Sequence, residues 1–129
     1  MKALTVRQPW TSLIIAGHKN IENRGWPTNH RGKLAIHAGL AVDSDALARH
    51  AKLLRRLGLS PENLPKGRIL GTVTVLDCRD DSSSPWAEPG LWHWVLANPR
   101  AFKHPVPAKG KLGLWEWART PEKPWKSAL

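Results

Sequence analysis

The segment RILGTVTVLDC, Arg68 to Cys78, constrains the fold more than any other stretch of the chain. Its β-branched residues lose χ1 freedom in a helix but pack well on a pleated surface, so it reads as a strand. Gly67 before it and the polar run from Asp77 to Ser84 after it mark its ends. Shorter strands surround it in sequence. Residues 2–6 alternate, with Leu4 and Val6 on one side and Ala3 and Thr5 on the other. Residues 20–24 set Glu22 and Arg24 on a common face, and 33–38 set Leu34, Ile36 and Ala38 opposite Lys33, Ala35 and His37. Residues 91–97 carry Trp92, Trp94 and Leu96 on one side, and 112–117 form a last strand. Residues 26–32 and 77–90 read as loops.

Two helices interrupt this series. Pro9 suits a first helical turn; Trp10, Leu13, Ile14 and Gly17 follow at i, i+3, i+4 and i+7, and Gly17 stops the helix. The second runs from Asp43 to Leu57. It opens on Asp43, Ser44 and Asp45, carries Leu47, Ala51 and Leu54 as its apolar stripe, loads Arg49, Lys52, Arg55 and Arg56 toward its end, and stops at Gly58. Short strands with two helices and no regular βαβ alternation predict an α+β fold, a small mixed β-barrel flanked by the two helices. The length, 129 residues, fits one core. The expected organisation is a single domain over 1–118 and a basic tail over 119–129.

Charge points to the partner. Twenty Lys and Arg against ten Asp and Glu give +10, a balance that attracts polyanions, of which nucleic acid is the commonest inside a cell. The alternative is a solvated surface without a partner. Eight Trp accompany one Phe and no Tyr, more indole than a core of this size needs; those left exposed beside Lys and Arg would serve to stack bases. The longest apolar run, Leu13 to Ala16, is too short to cross a bilayer, and Arg7, Gln8 and Pro9 interrupt any apolar core of a signal sequence. Cys78 is alone, which fits a reducing, cytoplasmic setting. The six His are scattered without metal-ligand spacing, no GxSxG occurs, and phosphate-loop motifs are absent. No cofactor, metal or membrane is expected, and the oligomeric state is left open.

The stretch GHKNIENRGW, residues 17–26, is where polar chemistry gathers. Lys19 leaves the first helix in a turn, and Glu22 and Arg24 project to one side of the next strand. Three uses suit such a cluster. It can grip a ligand, with Lys19 and Arg24 on phosphate or base acceptors and Glu22 accepting from an exocyclic amine. It can lower the lysine pKa until the amine activates a nucleophile or acts as a base. Or it can be a satisfied ion-pair network that ties helix to sheet.

The pattern Arg7-Gln8-Pro9-Trp10, then Gly17-x-Lys19-x-x-Glu22-x-Arg24-x-Trp26, then Arg31-Gly32-x-Leu34-x-Ile36-His37-Ala38, closely resembles the ASCH domain of the PUA-like superfamily. The likeness continues at Gly71, Asn98-Pro99-Arg100 and Pro105-x-Pro-x-Lys109-Gly110, and so covers about residues 3–117. The nearest branch resembles that of a eukaryotic transcription coactivator and of stand-alone bacterial proteins. The resemblance implies a PUA-like barrel with a cleft beside the first helix that binds RNA, DNA or a modified nucleotide. By it, Lys19, Glu22 and Arg24 line the cleft with Arg7, Gln8, Trp10 and Trp26 beside them, and His37 and Arg100 are further candidates. A bacterial branch of the family hydrolyses N4-acetylcytidine with a lysine, a threonine and a distant glutamate. Lys19 matches that lysine, but Glu22 stands in the threonine position, so a carboxylate would have to activate water instead. If the chain is an enzyme on RNA or modified nucleosides, amidohydrolase-like or a ribonuclease, Lys19 and Glu22 are its candidate catalytic residues. A protein-interaction module built on the Trp-rich strands is the remaining alternative.

Overall fold

A computed structural model describes residues 1–118; the tail expected at 119–129 lies outside the described residues. The elements run β1 (Lys2–Gln8), α1 (Trp10–Ile15), β2 (Ile21–Arg24), β3 (Gly32–Val42), α2 (Ser44–Arg49), α3 (Ala51–Arg56), β4 (Arg68–Arg79), β5 (Trp92–Pro107) and β6 (Leu114–Glu116). The strands make one sheet in the order β2-β5-β4-β3-β1-β6. β1 runs parallel to β3; the other ladders are antiparallel. The class is α+β, as the sequence predicts. β2 and β6 are free edges, with no ladder between them among the described residues, so the expected barrel is met only loosely.

Alternation along the strands sorts the side chains into two cores. Leu4, Val6, Leu34, Ile36, Val73, Val75, Trp94 and Leu96 pack on one face together with Ile14 of α1. Ala3, Ala35, Ile69, Trp115 and Trp117 pack on the other. The register Leu34 opposite Val73 and Ile36 opposite Gly71 puts like with like across β3 and β4; a slip of one residue would expose each set. Gly71 has a further role, since a Cβ there would lie 2.1 Å from the Arg100 carbonyl oxygen. Only glycine lets β5 approach β4 so closely.

Several boundaries differ from those expected, and β3 runs on to Val42 rather than ending at Ala38. The second helix breaks at His50 (φ −108°), giving α2 and α3, and the His50 ring turns in against Trp10 and Trp86. β4 runs through Asp77 and Cys78 to Arg79, so the following loop is shorter. β5 continues past Ala97 because Asn98 adopts φ 50° and the ladder with β4 shifts register nearby; such an irregularity lets a strand accommodate Pro99. Among the described residues no helix is long and apolar enough to cross a membrane.

Candidate functional site

α1 ends in a motif that fixes where Lys19 begins. Gly17 has φ 87°, its N–H donates to Ile14, and the His18 and Lys19 N–H groups both donate to the Leu13 carbonyl at 3.0 Å. This left-handed closure satisfies the last helical carbonyls and sends the chain back along the helix. Lys19 is therefore folded inward, 4% exposed. Its ammonium donates to the Ile21 carbonyl and to Glu22 Oε1, the latter at 3.3 Å. Arg24, two residues along β2 on the same face, donates from Nε to Glu22 Oε2 at 2.9 Å and from a terminal nitrogen to the Thr5 carbonyl at 2.8 Å. One carboxylate thus carries a cation on each oxygen.

These groups line a cleft of about 820 Å³. Trp10 lies across it, its ring centroid 5.4 Å from Lys19 Nζ and 6.0 Å from the Arg49 guanidinium carbon. Its indole donates to Asp43 at 3.2 Å, and Asp43 also caps α2 by accepting from Ala46 N–H. Trp10, His50 and Trp86 meet as an aromatic corner, with His50 tilted 37° to Trp86 at 5.3 Å. Trp26 stands edge-on to the buried Trp94 at 4.9 Å. Four cationic side chains, Arg7, Lys19, Arg24 and Arg49, face three anionic ones, Glu22, Asp43 and Glu88.

Electrostatics follow from burial and these contacts. Burial pushes the Lys19 ammonium below its ordinary value, and the Glu22 and Glu88 carboxylates draw it partly back. The Ala46 N–H, with help from the Trp10 indole, holds Asp43 below the usual carboxylate range. Burial, reinforced by Arg49, lowers His50 and favours its neutral ring.

The family model described as the ASCH domain matches residues 4–106. The chain belongs to the ASCH domain family. It is also similar to activating signal cointegrator 1 of Homo sapiens, 31% identical over 131 residues, and to that of Mus musculus, 30% identical over 125 residues. Each alignment covers 88% of this chain but 22% of the relative, so this chain spans about a fifth of the length of those proteins.

The ASCH domain brings Lys19, Glu22, Arg24, Arg7, Trp10 and Trp26 together on the cleft. Gln8 lies apart, fully buried, with its amide bonded to the Pro65 carbonyl and the Ser12 N–H. His37 is buried between Thr5 and the Ala108 carbonyl, with its ring against Trp115. Arg100 lines a second hollow of about 600 Å³ with Lys33, Phe102 and Trp117. Conversely, the cleft of the ASCH domain includes His50, Trp86 and Glu88, which the sequence reading did not single out. Trp86 sits in a Ser- and Pro-rich loop where no periodicity points to it.

Proposed function

We propose that this ASCH domain binds RNA, or a modified nucleotide, in the cleft beside α1. The observation that carries the reading is the pairing of three indoles, Trp10, Trp26 and Trp86, with the cations Arg7, Lys19, Arg24 and Arg49 around one hollow. Indole faces stack bases of any sequence, and guanidinium groups bind phosphate oxygens in a fork geometry. A hollow of about 820 Å³ is in the range of small-molecule sites, roughly 300–1,000 Å³. Lys52, Arg55 and Arg56 lie exposed on α3 beyond Arg49 and extend the positive surface for the rest of a strand. The net charge of +10 and the membership of the ASCH family support the same reading.

Tryptophan fluorescence titrated with RNA oligomers over a salt series tests this. Binding should quench the emission, and log affinity should fall with log salt by about one unit of slope per phosphate contact. No quenching at low salt contradicts the proposal.

One observation favours a second reading, an enzyme on RNA or modified nucleosides. Lys19 carries a depressed ammonium beside Glu22, with Glu88 also acting on it across the cleft. A carboxylate beside such a lysine can take a proton from water as a general base. Incubation with N4-acetylcytidine and with labelled RNA, read by mass spectrometry and gel, distinguishes the two. Turnover that disappears in Lys19→Met supports the enzyme; unchanged substrate at high protein concentration leaves the binding module.

A further inference from the structure

β3, β4 and β5 build a second polar site on the sheet face opposite α1. Ala35 of β3 stands across from Thr72 of β4, and Thr72 across from Arg100 of β5. Cross-strand neighbours share a face, as do residues two apart on one strand. Lys33 therefore lies on the face of Ala35, and Phe102 on the face of Arg100. Ala35 packs with Trp115 and Trp117 in the core cluster away from α1, which identifies that face. Lys33 and Arg100 flank Thr72 from strands on either side, roughly 12 Å apart at the backbone, a span that two long side chains can close.

Thr72 shows what the hollow is suited to. It is 8% exposed, and its hydroxyl makes no hydrogen bond among the described residues. No fully buried side-chain oxygen among them lacks a partner, so the little of Thr72 that remains open includes its hydroxyl. It opens onto the hollow of about 600 Å³ that Lys33 and Arg100 also line. Both cations are exposed, and neither side chain has an ion pair or hydrogen bond among the described residues. No Asp or Glu lines this hollow, whereas three carboxylates offset the cations of the cleft. The sequence between Glu88 and Glu116 holds no acidic residue either.

Two unpaired cations and a spare hydroxyl donor match an anion of two charges. A phosphate monoester carries about −1.5 to −2 near pH 7 and three strong acceptor oxygens; an internal phosphodiester carries a single charge. The floor does not suit a base, because Trp117 is 9% exposed and Phe102 lies over it, tilted 33° at 6.2 Å. Such an apolar floor instead strengthens ion contacts made above it. The net charge of +10 favours a polyanion as the carrier over a phosphopeptide.

We propose that this hollow is a second site, separate from the cleft, that holds a terminal phosphate monoester of RNA on Lys33, Arg100 and the Thr72 hydroxyl. RNA as the carrier rests on the nucleic-acid reading; the anion site itself does not. Backbone-amide and indole nuclear magnetic resonance of the unaltered chain tests it. The probes are inorganic phosphate and one short RNA sequence bearing a 5′-phosphate, a 3′-phosphate or neither, with chloride at matched ionic strength as the blank. The Thr72 and Ala101 amides and the Trp117 indole should shift with inorganic phosphate and with an end-phosphorylated oligomer. These signals should report binding about tenfold tighter than for the oligomer without terminal phosphate, the scale of one or two charge-assisted hydrogen bonds. Thr72→Val keeps the β-branched shape and removes only the hydroxyl; it and Arg100→Met should each abolish that preference while the Trp10, Trp26 and Trp86 signals respond as before. No response of Thr72 and Trp117 to any phosphate, an equal response to the unphosphorylated oligomer, or a response to a phosphoserine peptide alone overturns the inference. Response to inorganic phosphate without response to either phosphorylated oligomer overturns RNA as the carrier. Loss of response at Trp10, Trp26 and Trp86 with Trp117 still shifting overturns the cleft reading and leaves this site standing.

Discussion

Asn23 holds Trp86 in the cleft by its backbone: the side-chain amide donates to the Trp86 carbonyl at 2.9 Å. The same side chain accepts from the Glu88 N–H at 3.0 Å. His93 of β5 adds a bond on each side, accepting from the Ser82 N–H at 3.1 Å and donating to the Glu88 carbonyl at 2.7 Å. A loop between two strands is thus pinned at both ends, and the indole it carries is positioned before any ligand arrives. Such preorganisation lowers the ordering cost of binding.

Asn23→Ala should release that loop. Two hydrogen bonds are lost, one partly buried and one exposed, which costs about 1–2 kcal/mol in urea unfolding. Acrylamide should then quench the folded protein more strongly, because Trp86 gains exposure. Unchanged stability with unchanged quenching would mean that the loop holds itself.

The difference between Glu22 and Trp86 explains what was legible in the sequence. Lys19, Glu22 and Arg24 sit within one turn and one strand, where the helix stop at Gly17 and the period of two fix their relative directions. Trp86 reaches the site through contacts across 63 residues, to Asn23, and such pairings leave no local pattern. His50 was hidden for a related reason. It reads as one more polar position in a continuous helix, yet its packing on Trp10 and Trp86 coincides with the break between α2 and α3. The same alternation that revealed Leu34 and Ile36 as core placed His37 on the opposite face, away from the cleft. β5 runs on past Ala97, where the expected strand stops, because Asn tolerates a positive φ that most residues do not.

Burial of Lys19 makes stability depend on pH in a defined direction. Its folded pKa lies below the ordinary 10.5, so between the two values the unfolded chain binds more protons. Stability from this group rises with pH across that window, and below it the cost of burying the charge is fully present. The unfolding free energy of the unaltered protein minus that of Lys19→Met should therefore increase as pH climbs from neutral toward 10.5. The chain has no Tyr, so no phenol titrates in the same range. A flat difference would contradict the lowered ammonium.

Gly71→Ala should be severe, at about 3 kcal/mol in urea unfolding, because the new methyl meets backbone that cannot step aside. A matched control is Gly25→Ala, where nothing lies within 4 Å of the added carbon and the change should stay within about 0.5 kcal/mol. Equal effects would remove the close β4–β5 approach as the reason for glycine at 71.

The most direct measurement of the central claim is an indole N–H nuclear magnetic resonance titration with a mixed-sequence RNA oligomer, without terminal phosphates, at low salt. Trp10, Trp26 and Trp86 line the cleft, whereas Trp115 and Trp117 pack in the core on the other face of the sheet. The indole signals of the first three should shift or broaden together and saturate with one affinity, while those of Trp115 and Trp117 stay in place. Movement confined to Trp115 and Trp117, or binding that leaves the Trp10, Trp26 and Trp86 signals untouched, would contradict a nucleotide seat beside α1.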